Sequence, residues 1–490
     1  MMMQVPGTTG RPPVRGLPGK GEMQGYFDFR QDISGSSKMD DTVYNKEKSY
    51  NKEKSHNEKK TMHKHESPGY ARYVLAVLTL TYTCSYIDRY ILSVLVEPIK
   101  AELGVSDTQM GFLGGLAFAL LYTLAGIPIA RWADRGNRRT IIALGVAVWS
   151  LMTVASGFAR SFTQLALARV GVGLGEAAGT PPAHSLLADY FPAEKRATVL
   201  SIYSMGIPIG VMLGFLAGGW ITYFFDWRMA FIAVGAPGLL LALLVRFTIA
   251  EPVRGRLDRH PEQQGQYSFG QTLGLIFRSR ALVLIQLGGA FYAMAGFGLS
   301  FWIAPFFSRV HQLPLHEMAS WLAAGAFIGG VCGGLFAGRI ADRLGAKGIR
   351  GYFLTPMLIL LAGLPMTVLM LLVPNAQVAL GLFLVQQFAF GCYAGPIYAA
   401  MQFLVPPSMR AMAVAVHLFI LNLVGLGCGP LLIGMMSDFF TATRGAAEGI
   451  RIALLVITAG TGISIVCFWL AARLPESRKL PGAAQLAVTH

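Results

Sequence analysis

Charged side chains inside apolar segments are the residues of this chain best suited to chemistry. Arg169 and Glu176 lie in one such segment, and Asp88 and Arg89 lie in another. On a helix, Arg169 and Glu176 point to nearly the same face and are about two turns apart. An ionisable group at membrane depth costs at least ~2.5 kcal/mol, so it normally faces a cavity or an opposite charge. These four residues predict either a polar cavity or a buried ion-pair network between two helices.

The same four residues suggest how a proton and an anion could be handled together. Asp88 and Arg89 are adjacent and point about 100° apart on a helix, so we expect one to meet Arg169 or Glu176 and the other to face the cavity. Burial favours a protonated carboxyl group and a nearby guanidinium favours an ionised one, which makes Asp88 and Glu176 the predicted proton-coupling residues. Arg89 and Arg169 are predicted to bind an anion because a planar guanidinium holds two oxygens at once.

The composition is that of an integral membrane protein. The chain has 490 residues, of which 53% are hydrophobic and 14% charged, against about 25% charged residues in soluble domains. Repeated apolar runs of about 20 residues predict a helical bundle and exclude the alternating pattern of a β-barrel. The net charge of +15 lies largely in short loops, where it orients helices, so no nucleic-acid partner is expected. The five cysteines have no CxxC spacing, so neither a metal site nor a disulfide is predicted.

Twelve predicted spans define an all-α polytopic protein built from two six-helix halves. Most loop Lys and Arg residues lie on the side of the termini, so both termini are predicted to be cytoplasmic. A short surface helix is expected at Ser268–Arg280, which is apolar on one side and basic at its end. The predicted regions are a disordered tail at 1–69, a six-helix bundle at 70–250, a linker at 251–280, a second bundle at 281–475 and a tail at 476–490.

The two halves repeat each other in sequence. ARWADRGNRRT after the second span corresponds to GRIADRLGAKG after the eighth, so that Asp134 matches Asp342. YFPAEKRATV after the fourth span corresponds to LVPPSMRAMAV after the tenth, so that Arg196 matches Arg410. Two six-helix repeats are typical of secondary transporters, whose site lies between the halves near the middle of the membrane.

These motifs resemble those of the major facilitator superfamily over about residues 70–475, and YIDRYILS with GEAAGTPPAHSLLADYF resembles its Spinster branch. The resemblance implies the twelve-helix major facilitator fold, alternating access and proton-linked transport of lysolipids such as lysophospholipids or sphingosine phosphate. An organic-anion symporter branch also carries a DR pair in its first span. The alternatives are therefore a proton-coupled symporter of carboxylates or sugar acids, or a drug exporter of the same superfamily.

The second half lacks the charges of the first. Glu176 corresponds to Phe390 and Arg169 to Phe383, while the seventh and tenth spans are rich in aromatic residues. A cavity that is charged on one wall and aromatic on the other favours an amphiphilic substrate. The predicted substrate-binding residues are Arg89, Arg169, Thr180, Tyr292, Phe301, Trp302 and Tyr393.

The repeated loop motifs predict a gate. Asp134 and Asp342 could pair with nearby arginines and lock the cytoplasmic ends of the two halves together. The predicted gating residues are Asp134, Arg135, Arg138, Arg139, Glu194, Arg196, Asp342 and Arg343.

No nucleotide-binding or hydrolase motif is present, so we expect a carrier and no enzyme, with a proton gradient in place of any cofactor. A lipid-modifying enzyme and a non-transporting sensor are the contrasting classes. The expected partners are a small amphiphilic or anionic substrate and membrane lipids. The expected state is a monomer in a bacterial inner membrane.

Overall fold

The computed structural model describes residues 67–255, 257, 269–346, 348–406 and 409–475, and every regular element in them is a helix. The predictions for the tails at 1–66 and 476–490, and for most of the linker before Phe269, lie outside the described residues. The described helices form twelve spans. In chain order they are Pro68–Leu103 (span 1), Asp107–Gly114 with Leu116–Arg135 (span 2), Arg138–Gly157 (span 3), Phe162–Glu176 with Thr180–Tyr190 (span 4), Ala193–Ser204 with Gly206–Phe224 (span 5), Trp227–Thr248 (span 6), Arg280–His311 (span 7), Leu315–Gly345 (span 8), Arg350–Leu372 (span 9), Ala376–Gly391 with Ala394–Leu404 (span 10), Arg410–Ile420 continuing to Arg444 (span 11) and Ala446–Arg473 (span 12).

Ten of these spans are long and apolar enough to cross a membrane by length and composition alone. The other two are spans 1 and 4, which carry the four buried charges. Asp88 and Arg89 reduce the mean hydropathy of span 1, whereas span 4 is divided into two helices that are each too short. The two spans that do not meet this criterion are therefore the two that hold the predicted chemistry.

Span 4 is broken because of two prolines. Its second helix starts at Thr180 with prolines in its first turn. Pro181 and Pro182 have no backbone N–H to donate and their rings crowd the preceding turn. The helix therefore ends at Glu176 and restarts after Gly179, which places the Glu176 carboxylate at the joint.

The helix boundaries repeat between the halves. Span 1 ends at Leu103 and span 7 at His311, the same spacing that relates Asp134 to Asp342. Span 4 is interrupted after Glu176 and span 10 after Gly391, and their second helices start at Thr180 and Ala394. The structure thus supports a residue-by-residue comparison of the two halves.

The apolar core joins the halves at one end only. We call the face that carries Pro68 and Arg473 the terminal face, and the other the opposite face. The largest buried cluster contains residues of both halves near the opposite face, including Phe215 and Phe306. Towards the terminal face, each half has its own cluster, one around Val146 and one around Phe353. The halves are therefore packed together at the opposite face and separately towards the terminal face.

Two local features refine the predictions. A helix covers Phe269–Arg278, within the segment predicted as a surface helix. A π-helical segment covers Leu421–Cys428, just before Pro430. Pro430 cannot donate to the carbonyl four residues earlier, and its ring would crowd that carbonyl. The wider π turn accommodates this, and such turns are frequent at functional sites.

Candidate functional site

The four buried charges form two crossed ion pairs between spans 1 and 4. Arg89 donates from Nε to Glu176 Oε2 at 2.6 Å, and its Nη2 lies 2.6 Å from the same oxygen. Arg169 donates from Nη1 to Asp88 Oδ1 at 3.3 Å and from Nη2 to the Asp88 carbonyl at 3.1 Å. The expectation that only one of Asp88 and Arg89 meets span 4 was wrong. Both do, because Arg169 and Glu176 are two turns apart and each reaches one of them.

The Asp88–Arg169 pair is enclosed. The two side chains are 3% and 2% exposed. Thr153 of span 3 donates to the second carboxylate oxygen, Oδ2. The Arg169 guanidinium also lies over the ring of Phe231 of span 6, 5.9 Å from its centroid. Both carboxylate oxygens have a partner, so this pair chiefly holds spans 1, 3 and 4 together.

Glu176 is bonded on one side only. Its Oε2 accepts from Arg89 and from the Ser85 hydroxyl at 2.8 Å. Its Oε1 is buried and has no hydrogen-bond partner among the described residues. A buried carboxylate oxygen without a partner is costly while it is ionised, and a proton on that oxygen removes the charge. Of the two predicted proton-coupling residues, Glu176 therefore has the geometry that suits a proton.

Arg89 is the more accessible of the two arginines. Its side chain is 13% exposed. Its guanidinium lies 4.9 Å from the ring centroid of Tyr86 and 4.7 Å from those of Phe118 and Tyr122. Aromatic faces attract a cation within about 6 Å, so they hold the guanidinium in place while one edge stays open.

A central cavity lies between the halves beside this arginine. Arg89 and Arg169 belong to its first-half wall, and Phe297, Phe301 and Leu426 belong to its second-half wall. The cavity is thus cationic on one side and mainly apolar on the other, where Ser300 and Asn422 add polar groups.

Four predicted substrate-binding residues lie elsewhere than expected. Trp302 is fully buried and donates to the Pro430 carbonyl at 2.8 Å. Tyr393 stacks on Tyr292 with ring centroids 3.9 Å apart, inside the second half. Thr180 lines a smaller cavity next to Glu176. Of the seven predicted substrate-binding residues, only Arg89, Arg169 and Phe301 line the central cavity.

The second half replaces the outer ion pair with two aromatic rings. At the spacings that the helix boundaries set, Arg89 corresponds to Phe297 and Glu176 to Phe390. These two phenylalanines are in contact, with ring centroids 6.3 Å apart and nearly perpendicular planes. Asp88 corresponds to Gly296, where a Cβ atom would lie 1.9 Å from the Phe390 ring. The same positions thus form an ion pair in one half and an aromatic pair in the other.

The predicted gating residues lie at the terminal face, and the ion pairs described there stay within one half. Arg138 is buried and bonds within the first half, to Asp189 at 2.5 Å and to Glu251 at 2.7 Å. The backbone N–H of Arg139 also donates to Glu251. Within the described part of the chain, no ion pair involves Asp134 or Asp342. The remaining predicted residues are Arg135, Glu194 and Arg343, which are exposed, and Arg196, which donates to the Ala188 carbonyl of its own half. Their gating role stays a prediction.

The sequence interpretation missed a polar network at the opposite face. Asp107, at the start of span 2, binds Arg309 of span 7 and accepts from the Ser437 hydroxyl of span 11 at 2.6 Å. Asp438 of span 11 in turn accepts from the backbone N–H groups of Asp107 and Thr108. Ser106 and Asp107 were recognisable as a helix start, but no sequence signal identified a partner more than 200 residues away.

Comparison with known proteins shows which proteins this chain is similar to. The family model described as Major Facilitator Superfamily matches residues 78–426 and 316–488. An MFS-type efflux pump of Mycolicibacterium smegmatis is 36% identical over 400 residues, which cover 81% of this chain and 91% of that protein. Protein spinster homolog 1 of Homo sapiens is 31% identical over 248 residues, which cover 50% of this chain and 47% of the human protein. A cis,cis-muconate transport protein of Acinetobacter baylyi is 28% identical over 270 residues, with 53% and 63% covered.

A solved structure gives the same picture. The chain is similar to a bacterial homologue of the human lysosomal transporter Spinster, in an inward-facing and unoccupied conformation. The TM-score is 0.75 at 33% identity, and the match covers 83% of this chain and 98% of that one. The twelve-helix architecture and the resemblance to Spinster-like proteins predicted from the motifs are confirmed.

Proposed function

Because this chain belongs to the major facilitator superfamily and is a Spinster-like membrane transporter, we propose that it carries an anionic amphiphile through its central cavity. The substrate class is a lysolipid with a phosphate group, such as a lysophospholipid or sphingosine phosphate. Transport proceeds by alternating access of the two halves and is coupled to a proton gradient. The observation that carries the proposal is the position of Arg89, a cation that is partly exposed at the boundary between a charged wall and an apolar wall.

Anion binding and proton uptake are linked through one shared side chain. Arg89 is the only cation bonded to Glu176 among the described residues. A phosphate that binds Arg89 with two oxygens competes with the carboxylate for the same N–H donors. Glu176 then loses its counter-charge in a buried site, where the protonated form is favoured. Substrate arrival therefore promotes proton uptake, and proton release restores the ion pair and favours substrate release.

The second-half wall supports an amphiphile over a small polar substrate. Phe297, Phe301, Leu426 and Pro430 present apolar surface opposite Arg89. An acyl chain gains about 0.8 kcal/mol for each CH₂ group that it buries against such a surface. Ser300 and Asn422 add one hydroxyl and one amide group to this wall.

A second candidate is a proton-coupled organic-anion symporter. It rests on the similarity to a cis,cis-muconate transport protein and on the two arginines of the cavity, which could hold two carboxylates. A third candidate is a drug exporter, which rests on the similarity to an MFS-type efflux pump. We further propose that the protein acts as a monomer in a bacterial inner membrane with both termini in the cytoplasm.

Uptake into proteoliposomes tests the proposal. Purified protein is reconstituted, and accumulation of a fluorescent lysophospholipid is measured with and without a pH gradient, alongside cis,cis-muconate. We expect gradient-dependent lysolipid accumulation, lost at least tenfold in Arg89→Gln. Arg246→Gln, an exposed arginine at the end of span 6, is the matched control and should transport normally. Accumulation of muconate without lysolipid would favour the organic-anion symporter, and full activity of Arg89→Gln would contradict the proposed site.

A further inference from the structure

A second cavity lies inside the second half of the protein, among spans 7, 9, 10 and 12. None of its lining residues is charged. Its polar lining consists of Thr367, Gln386, Thr458 and Thr461, and Tyr292 and Phe390 supply aromatic surface. The proposed transport mechanism has so far given this cavity no part.

Gln386 brings an unpaired acceptor to this cavity. Its side chain is 7% exposed, and its Oε1 has no hydrogen-bond partner among the described residues. An unsatisfied buried polar atom is destabilising, and a bound group that supplies the missing hydrogen bond removes that cost. The cavity therefore presents a polar atom that a ligand could satisfy.

The threonines present acceptors as well. Thr367 donates its hydroxyl proton to the Gly363 carbonyl at 3.1 Å, and Thr458 donates to the Leu454 carbonyl at 2.6 Å. Each hydroxyl oxygen keeps lone pairs once its proton is used in this way. Together with Gln386 Oε1, the cavity offers several acceptors without a negative charge. A hydroxyl group fits such a set, whereas an ammonium ion would be buried there without a counter-charge.

One aromatic pair separates this cavity from the central one. Phe390 lines the second-half cavity, and Phe297, whose ring contacts it, lines the central cavity. The Phe390 ring occupies the space beside Gly296, where no side chain holds it from that side. A rotation of this ring would connect the two cavities.

We propose that the second-half cavity is a subsite for an uncharged, hydroxyl-bearing part of the substrate, while the phosphate is held at Arg89. This inference rests on the proposed lysolipid transport and names a further determinant of its specificity. Gln386 Oε1 and the hydroxyl oxygens of Thr367 and Thr458 accept hydrogen bonds from the headgroup. Phe390 moves aside to admit it.

Two lysophospholipids with the same acyl chain and the same phosphodiester charge test the subsite. One carries a glycerol headgroup with free hydroxyls, and the other a propyl headgroup without them. Binding of each to the purified full-length protein is measured by isothermal titration. We expect the wild type to bind the glycerol lipid about tenfold more tightly, as one or two additional hydrogen bonds would give.

Variants separate the subsite from the rest of the mechanism. Gln386→Leu and Thr458→Val should bring the affinity ratio close to one. Thr355→Val is the matched control, because Thr355 is also buried and donates to its own helix but does not line the cavity. If the ratio is one in the wild type, or persists in Gln386→Leu, the cavity holds only water and the subsite is refuted, although Arg89→Gln would still weaken both lipids. If neither lipid binds the wild type, the proposed function fails together with the subsite.

Discussion

Arg309 of span 7 binds Asp107 of span 2 in a bidentate ion pair, with Nη1 2.6 Å from Oδ2 and Nη2 2.7 Å from Oδ1. Such bidentate pairs combine a strong bond with a fixed orientation. The two residues belong to different halves, and Ser437 of the second half binds the same carboxylate. The pair therefore closes the opposite face, on the side where the apolar core also joins the halves. Alternating access requires that this contact break.

Asp107→Asn should loosen the opposite face. The amide removes one of the two carboxylates that pair with Arg309, the other being Glu97, so the closed conformation loses part of its stabilisation. We measure the rate at which an impermeant maleimide labels Ser93→Cys, introduced after the five native cysteines are replaced. Ser93 is 1% exposed and donates to the Phe301 carbonyl across the halves. Labelling should accelerate at least fivefold with Asp107→Asn and stay slow with Asp226→Asn, which caps span 6 on the same face. Equal rates would show that the pair does not hold the gate.

Glu176→Gln should uncouple transport from the proton gradient. The glutamine keeps an oxygen for Arg89 and Ser85 but cannot exchange a proton. We expect lysolipid exchange between liposomes to persist within about threefold of the wild type, while the stimulation by a pH gradient is lost. Glu448→Gln, in a partly exposed ion pair with Arg451, is the control. If a pH gradient still stimulates transport by Glu176→Gln, another group carries the proton.

Asp88→Leu should act mainly on stability. It leaves Arg169 buried and without its carboxylate, and breaking a buried ion pair on one side costs about 3–5 kcal/mol. The double variant Asp88→Leu with Arg169→Met should recover most of this loss, because no unpaired charge remains. Thermal unfolding of the four proteins of this double-mutant cycle, in detergent, measures the loss in the single variant and its recovery in the double variant. A single variant as stable as the wild type would argue that Asp88 is protonated and Arg169 otherwise compensated.

Asp134→Ala should leave this conformation as stable as the wild type, within about 0.5 kcal/mol, since Asp134 is exposed and in no ion pair within the described residues. Arg138→Leu should destabilise it by about 3 kcal/mol, because Asp189 and Glu251 lose their shared partner. Thermal unfolding distinguishes the two variants. If Asp134→Ala nevertheless slows transport, the aspartate acts in the other conformation, as predicted for a gate.

Gly296→Ala should displace the Phe390 ring. The added methyl group would lie 1.9 Å from the ring, and such overpacking typically costs about 1–3 kcal/mol. Gly381→Ala in span 10 meets no atom within 4 Å and should be neutral. Unfolding temperatures of both variants check this. A Gly296→Ala protein as stable as the wild type would contradict this prediction.

Several features of the fold could be predicted because they follow from local composition. The twelve spans and the two repeats depend on apolar length and recurring motifs. The identity of the four buried charges followed in the same way, since a charge in an apolar span is visible from sequence alone. The break in span 4 was not predicted, although Pro181 and Pro182 carry a signal for it. Which arginine pairs with which carboxylate was harder to predict. The side chains of adjacent residues point about 100° apart on a helix. The partner that each one meets, however, depends on where along its length span 1 is crossed by span 4.

The sequence by itself determined the membrane class, the two-fold repeat and the loss of charge at Phe390 and Phe383. Only the tertiary structure decided that Trp302 and Tyr393 lie away from the central cavity, that Asp107 meets Arg309, and that Gln386 faces an empty space. The physical reason is that period and composition specify which side of a helix is apolar, while contacts between distant spans depend on helix tilt, rotation and the shapes of many packed side chains. Those quantities are properties of the assembled bundle and have no local signature in the chain.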